Sequence, residues 1–292
     1  MVETAKARAR QKKKQQRCRV WVFMIRKGGS GKTTTSVNFA AGLVYLFGRR
    51  VLLVDLDPQG NTTRHLGINS KQLDGTVNTL FTTLGTDPHS VIQPVSFTVN
   101  RKTYQLDVMP AKRDLDDTDL SMKATQAGMF KPIIEALAED YDDIVIDTRP
   151  TRSLLTLSAM ISATHAVLPM EAGVFALDSL EDSLTDINEV KNGLNPSLKV
   201  VGILPTRVRE STNLSRAVLG DAAGNYDHLL IRYTEAGDGG VDVPKLLYIR
   251  DSVLLGEAPA YGIPGIAYRL GDNVAAQDYL KLTEVLHHGQ ET

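Results

Sequence analysis

Residues 20–35, VWVFMIRKGGSGKTTT, decide how this chain folds. Val20 to Ile25 is an uninterrupted apolar run rich in β-branched and aromatic side chains, the pattern of a buried strand. Gly28, Gly29 and Gly31 then permit a tight turn whose backbone N–H groups converge on phosphate oxygens. Lys32 falls where its ammonium reaches β- and γ-phosphates, and Thr33 where its hydroxyl binds Mg2+. From Lys32 to Phe47 the pattern turns helical, so a positive helix N-terminus faces the same anion. A Gly-Lys-Thr match alone arises by chance. Flanked by a strand and a helix, it predicts a nucleotide-binding loop rather than a plain glycine-rich turn.

Downstream, Gly48 stops the helix, with Arg49 and Arg50 placed against its dipole. VLLVDLDPQGN (51–61) reads as a second buried strand ending in Asp55 and Asp57, where open α/β sheets bind ligands. One acid of the pair is expected to serve Mg2+ through water and the other to orient an attacking water. Residues 62–86 are helical in parts, with breaks at Gly67, Gly75 and Gly85, and short strands are expected over 91–108. Asp114, Asp116, Asp117 and Asp119 read as a solvated helix face rather than a metal cluster. Met129 to Glu139 forms an amphipathic helix that leads into YDDIVID (141–147). That strand ends in Asp147, the form of a second metal-side carboxylate.

Helices over 154–162, 176–192 and 274–287, with strands over 166–169 and 199–205, continue the alternation. Gly202 there allows a close backbone approach. The polar stretch 220–245 reads as a loop insertion, Tyr248-Ile249 as the start of an edge strand, and His287-His288 as a frayed surface end. The whole pattern predicts an α/β fold: one doubly wound, mostly parallel sheet of the P-loop NTPase type over residues 20–292, preceded by a tail over 1–19.

A hydrophobic fraction of 42% with 23% charged residues is ordinary for a globular protein. No apolar run approaches the roughly 18–20 residues needed to cross a bilayer. The basic start does not read as a secretory signal, because the apolar run after it continues straight into the phosphate loop. The single cysteine, Cys18, excludes an internal disulfide, fits a reducing cytoplasm and reads as an incidental surface thiol. The net charge of −1 conceals an asymmetry: residues 1–19 carry eight Lys/Arg against one acid, leaving 25 basic and 33 acidic residues elsewhere. A basic tail on an acidic body is the electrostatic footprint of a DNA-contacting arm, Lys12, Lys13 and Lys14 at its centre, rather than of a solvated extension.

Four stretches together resemble the ParA/Soj family of deviant Walker A partition ATPases: KGGSGKTTTSVN (27–38), VLLVDLDPQGN (51–61), YDDIVID (141–147) and GEAPAYGIP (256–264). The resemblance spans about residues 20–286, and Lys27, directly before the glycine pair, is its most specific residue. It implies an ATP-dependent homodimer in which Lys27 reaches the partner's nucleotide, with Gly28, Gly29, Ser30, Gly31, Lys32, Thr33 and Thr34 around the phosphates. By the same resemblance Thr33, Asp55 and Asp147 serve Mg2+, and Asp57 positions the hydrolytic water. Weak ATP hydrolysis, nonspecific DNA binding, a ParB-like centromere-binding partner and a nucleoid-associated cytoplasmic location follow. The sequence departs from the family pattern at Arg149, where a Cys-Pro-Pro run is usual, at Gly173, often a glutamate, and at Asp251, Leu254 and Ser211, which replace DNA-binding arginines. Arg207, Arg209, Arg216 and Arg250, or the tail, are then the candidate DNA contacts. The alternative is a related ATPase that positions a protein cargo or a septum regulator.

Overall fold

Alternate residues of the first strand, β1 (Arg19–Phe23), serve two different cores. Val20 and Val22 pack into one buried cluster, Trp21 and Phe23 into another, and none of the four is more than 5% exposed. β2 (Val51–Leu56) divides in the same way. A strand buried on both faces has no polar alternation to show, which is why these runs are continuously apolar. Full burial of each large apolar side chain contributes about 1.5–3 kcal/mol.

In this computed structural model, which describes residues 18–236 and 242–289, helix α1 spans Lys32–Phe47. Gly48 at φ 60° ends that helix, its N–H donating to the Val44 carbonyl and the next one, from Arg49, to the Leu43 carbonyl. Short helices α2 (Asn61–His65) and α3 (Val77–Thr82) precede an antiparallel hairpin, β3 (Gln93–Val99) and β4 (Lys102–Met109). Its turn takes Asn100 and Arg101 through positive φ, 49° and 66°, the conformation that matches strand twist in a two-residue connection. Then follow α4 (Asp114–Ser121), α5 (Phe130–Leu137), β5 (Asp143–Thr148), α6 (Leu154–Ser162), β6 (His165–Glu171), α7 (Ala176–Gly193) and β7 (Lys199–Thr206).

The seven strands form one sheet in the order β3-β4-β2-β5-β1-β6-β7, parallel except for β3. The doubly wound, mostly parallel sheet expected from the sequence is therefore present. Chain direction across the sheet reverses at β1, so the loop after β1 lies at the topological switch point, at the carboxyl ends of the strands.

Several local expectations change. The described part of the stretch 220–245 is not a loop: α8 (Asn213–Tyr226) runs into it, and β8 (Arg232–Ala236) pairs antiparallel with β9 (Asp242–Leu246) in a separate two-stranded sheet. Only Ser215 and Ala222 of α8 are buried, so its helical period carries almost no apolar signal. Tyr248-Ile249 starts no strand; Ile249 bonds Pro205 and Val208, and an isolated Val208–Arg250 bridge follows. At Gly202 a Cβ would lie 2.6 Å from the Leu229 carbonyl, the close approach expected there.

The last helices are α9 (Val253–Glu257) and α10 (Val274–His288). The end of α10 is docked rather than frayed, because the His287 ring stacks on Phe47 with centroids 3.8 Å apart. Arg49 and Arg50 do not serve the α1 dipole alone. Arg49 pairs with the fully buried Asp143, which also takes Arg19 at 2.8 Å and the Trp21 indole at 2.9 Å, while Arg50 pairs with Asp142. Cys18 is part-buried against the core, and burial pushes its thiol up to about 12, so it is not a surface thiol. Among the described residues no helix is long and apolar enough to cross a membrane.

Candidate nucleotide-binding site

The loop after β1 takes its shape from two glycines in the left-handed region, Gly29 at φ 77° and Gly31 at φ 83°. Thr206, at the end of β7, steadies it by donating to the Ser30 carbonyl at 2.8 Å. The loop floors a cleft of about 500 Å3, lined also by Asp57, Thr148, Pro150, Arg207 and Tyr279. All seven loop residues from Gly28 to Thr34 line it.

Lys32 is only 6% exposed, and its ammonium donates to the carbonyls of Lys27 (2.9 Å) and Ile25 (3.2 Å). Burial lowers its pKa to about 8 against the opposing pull of Asp147 and Asp57. Thr33, one residue on, donates to Asp147 Oδ2 at 2.8 Å. Thr62 on α2 reaches the same oxygen at 2.8 Å, and Ser36 approaches Oδ1 at 3.3 Å.

Asp55 and Asp147 face each other in register on neighbouring strands, and both are fully buried. Burial raises Asp55 to about 7, with Asp147 adding to the effect, and burial raises Asp147 to about 6. Hydroxyl and carboxylate oxygens gathered around a charge-starved acid pair form a hard donor set of the kind that suits Mg2+. The two acids of the β2 end then divide. Asp55 spends its oxygens on Thr63 N (2.8 Å), Thr63 Oγ1 (2.7 Å) and Asp57 N (3.2 Å), and like Asp147 it lies behind the cleft lining. Asp57 does line the cleft, steadied by the Gln59 N–H at 2.9 Å.

Lys27 stands at the rim, its side chain 23% exposed, held by Glu171 at 3.2 Å and by the Val174 carbonyl at 2.9 Å. A Cβ at Gly173 would sit 3.9 Å from the Lys27 Nζ, so the acid facing this lysine comes from position 171 instead. Arg207, strained at φ 53°, shares Glu171 at 3.4 Å and touches the Gly29 carbonyl at 3.4 Å.

The candidate DNA contacts are not brought together as one free basic surface. Arg250 is clamped by Asp278 at 2.6 Å and Arg209 by Asp251 at 2.6 Å. Arg207 and Arg250 line the nucleotide cleft, and Arg216 reaches Asn213 and Ser211 on its own helix start. Lys12, Lys13 and Lys14 lie outside the described residues. The acidic run 114–119 is not a merely solvated face: Asp116 and Asp119 hold Arg149, which therefore does not face solvent alone. No cluster of three or more His, Cys, Asp or Glu fit to hold a metal occurs among the described residues. Thr62, Thr206, Glu171 and Tyr279 join the site without any local signal; the sequence separations of their bonds, such as 85 residues for Thr62–Asp147, put them beyond pattern reading.

Residues 18–200 match the family model described as an AAA domain. The sporulation initiation inhibitor protein Soj of Bacillus subtilis is 34% identical over 244 residues, 83% of this chain and 88% of that protein. The chromosome partitioning protein ParA of Myxococcus xanthus is 33% identical over 267 residues, covering 90% and 86%. A structure titled as cobyrinic acid a,c-diamide synthase from Mycobacterium smegmatis, with bound ATP analogue and magnesium, superposes with a TM-score of 0.75 at 27% identity, covering 94% and 96%. With the phosphate loop, the paired strand-end acids and the rim lysine in place, the chain belongs to the ParA/Soj family of partition ATPases.

Proposed function

We propose that the protein is a Mg2+-dependent ATPase that dimerises on ATP, binds DNA nonspecifically and drives plasmid or chromosome partition with a ParB-like partner. The observation that carries this reading is Lys27 at the cleft rim beside the buried Lys32, two lysines on one loop with different exposures. A single nucleotide needs only the buried one. In this reading Lys32 and the loop N–H groups hold the phosphates, and Thr33 and Asp147 hold Mg2+, with Asp55 setting the turn behind them. Bound there, Mg2+ supplies charge neutralisation across the phosphate oxygens. Asp57, in the cleft wall, orients the attacking water. The location is cytoplasmic and nucleoid-associated.

The test is retention of the full chain on nonspecific DNA with and without ATP. Retention is expected to require ATP in the wild type and to be lost in Lys32→Ala; equal retention without nucleotide would sink the switch. A second reading, transport of a protein cargo, is favoured by one observation: Asp251 and Asp278 neutralise Arg209 and Arg250. Removing residues 1–17, which leaves β1 intact, locates the DNA contact. If DNA retention disappears, the tail is the contact; unchanged retention would point to the body and end the arm hypothesis.

A further inference from the structure

The geometry points to Arg149 as a positioning residue for ATP hydrolysis, a latch that holds the Thr148–Pro150 wall of the cleft, directly after Asp147, against α4. The inference rests on the nucleotide reading of the site. Arg149 Nη1 meets Asp119 Oδ2 at 2.7 Å and Asp116 Oδ1 at 2.9 Å. The Asp119 pair is the sheltered one: that carboxylate is 6% exposed, against 46% for Asp116. The second oxygen of Asp119 accepts the Leu155 N–H at 3.1 Å, in the first turn of α6. One carboxylate thus ties α4, the end of β5 and the start of α6 together.

The latch closes a ring of contacts around the acid pair. Asp147 accepts from Thr62 on α2, and the next residue, Thr63, bonds Asp55. The Thr63 hydroxyl also accepts the Ala111 N–H at 2.9 Å, just before α4. Within α4, Thr118 donates to Asn78 of α3 at 2.6 Å, and Asp119 returns the path to Arg149, two residues beyond Asp147. Thr148 and Pro150, on either side of Arg149, line the cleft. A wall braced at only one end fluctuates, and misplacement of a catalytic carboxylate lowers the rate of chemistry more than the affinity for nucleotide.

The experiment compares wild type, Arg149→Ala, Arg149→Lys, Asp119→Asn and the Arg149→Ala/Asp119→Asn double variant in the full chain. Phosphate release gives kcat and KM for ATP, and amide exchange over residues 147–155 reads the wall directly, with or without turnover. Arg149→Ala is expected to lower kcat about tenfold with KM within about twofold, and to speed exchange in that segment alone. Arg149→Lys restores most of the rate, because one ammonium can serve both carboxylates. Asp119→Asn keeps an acceptor for Leu155, so it tests the charge pair without risking the fold, and the double variant is no slower than either single one. Unchanged kcat and unchanged exchange in Arg149→Ala and Asp119→Asn overturn the latch. A wild type without phosphate release instead refutes the ATPase reading, while local exchange still decides whether the wall is latched.

Discussion

Lys32→Ala is expected to lower ATP binding and hydrolysis by about 100- to 1,000-fold, the scale seen when one preorganised charge donor is removed from a reacting group. The loss would be chemical rather than a failure to fold. Lys32 is nearly fully buried and its charged form is disfavoured by burial, so alanine removes a strained cation along with two hydrogen bonds to carbonyls. Thermal unfolding of the variant should stay close to wild type while isothermal titration shows no saturable ATP binding. The pKa near 8 adds a pH signature. Phosphate oxygens favour the charged ammonium, so ATP binding above pH 8 draws in a proton, and the apparent Kd rises as pH climbs from 8 toward 10. Titration in two buffers of different ionisation enthalpy measures that uptake. A Kd flat across this range would show that the ammonium is charged before nucleotide arrives.

Asp57→Ala should separate binding from turnover. The side chain lines the cleft, and its one hydrogen bond from a backbone N–H, that of Gln59, belongs to its own turn. Removing it costs the turn an acceptor, about 1 kcal/mol, while the loop, Lys32 and the Asp147 set stay in place. Single-turnover phosphate release is expected to fall about 100-fold or more with ATP affinity within a few-fold. Equal losses in affinity and rate would mean that Asp57 supports the loop rather than the water.

Legibility followed the reach of the forces. Strands buried on both faces, such as 51–56 and 143–148, announce themselves as unbroken apolar runs, and the α1 helix begins and ends on glycines. The phosphate loop was legible because its glycines and its two lysines lie within a few residues of one another, whereas Thr206, which steadies it from the end of β7, gave no sign. The β8–β9 pair was not legible, because its described side chains are mostly exposed and carry no alternation. Likewise Thr62 looks like any threonine after a turn until α2 brings it to Asp147. Glu171 gains its meaning from Lys27, 144 positions earlier, and from Arg207 beyond β7. Strand-end position alone left open which of Asp55 and Asp57 serves the metal and which the water, and only the resemblance gave Asp57 the water. Their separation into a buried turn anchor and a cleft-facing acid is set by Thr63, which no spacing rule indicates.

One junction at the other end of the sheet has a practical meaning. Arg19, where β1 begins, reaches His287 near the end of α10 at 2.9 Å, although 268 positions separate them. The two ends of the described fold are therefore neighbours, about 16 Å along β1 from the nucleotide loop at the usual strand rise. Joining them by a short linker and opening the chain at the Asn100–Arg101 turn defines a circular permutant whose cleft is untouched. A reporter joined at either end of the described fold starts from the same pole, opposite the cleft.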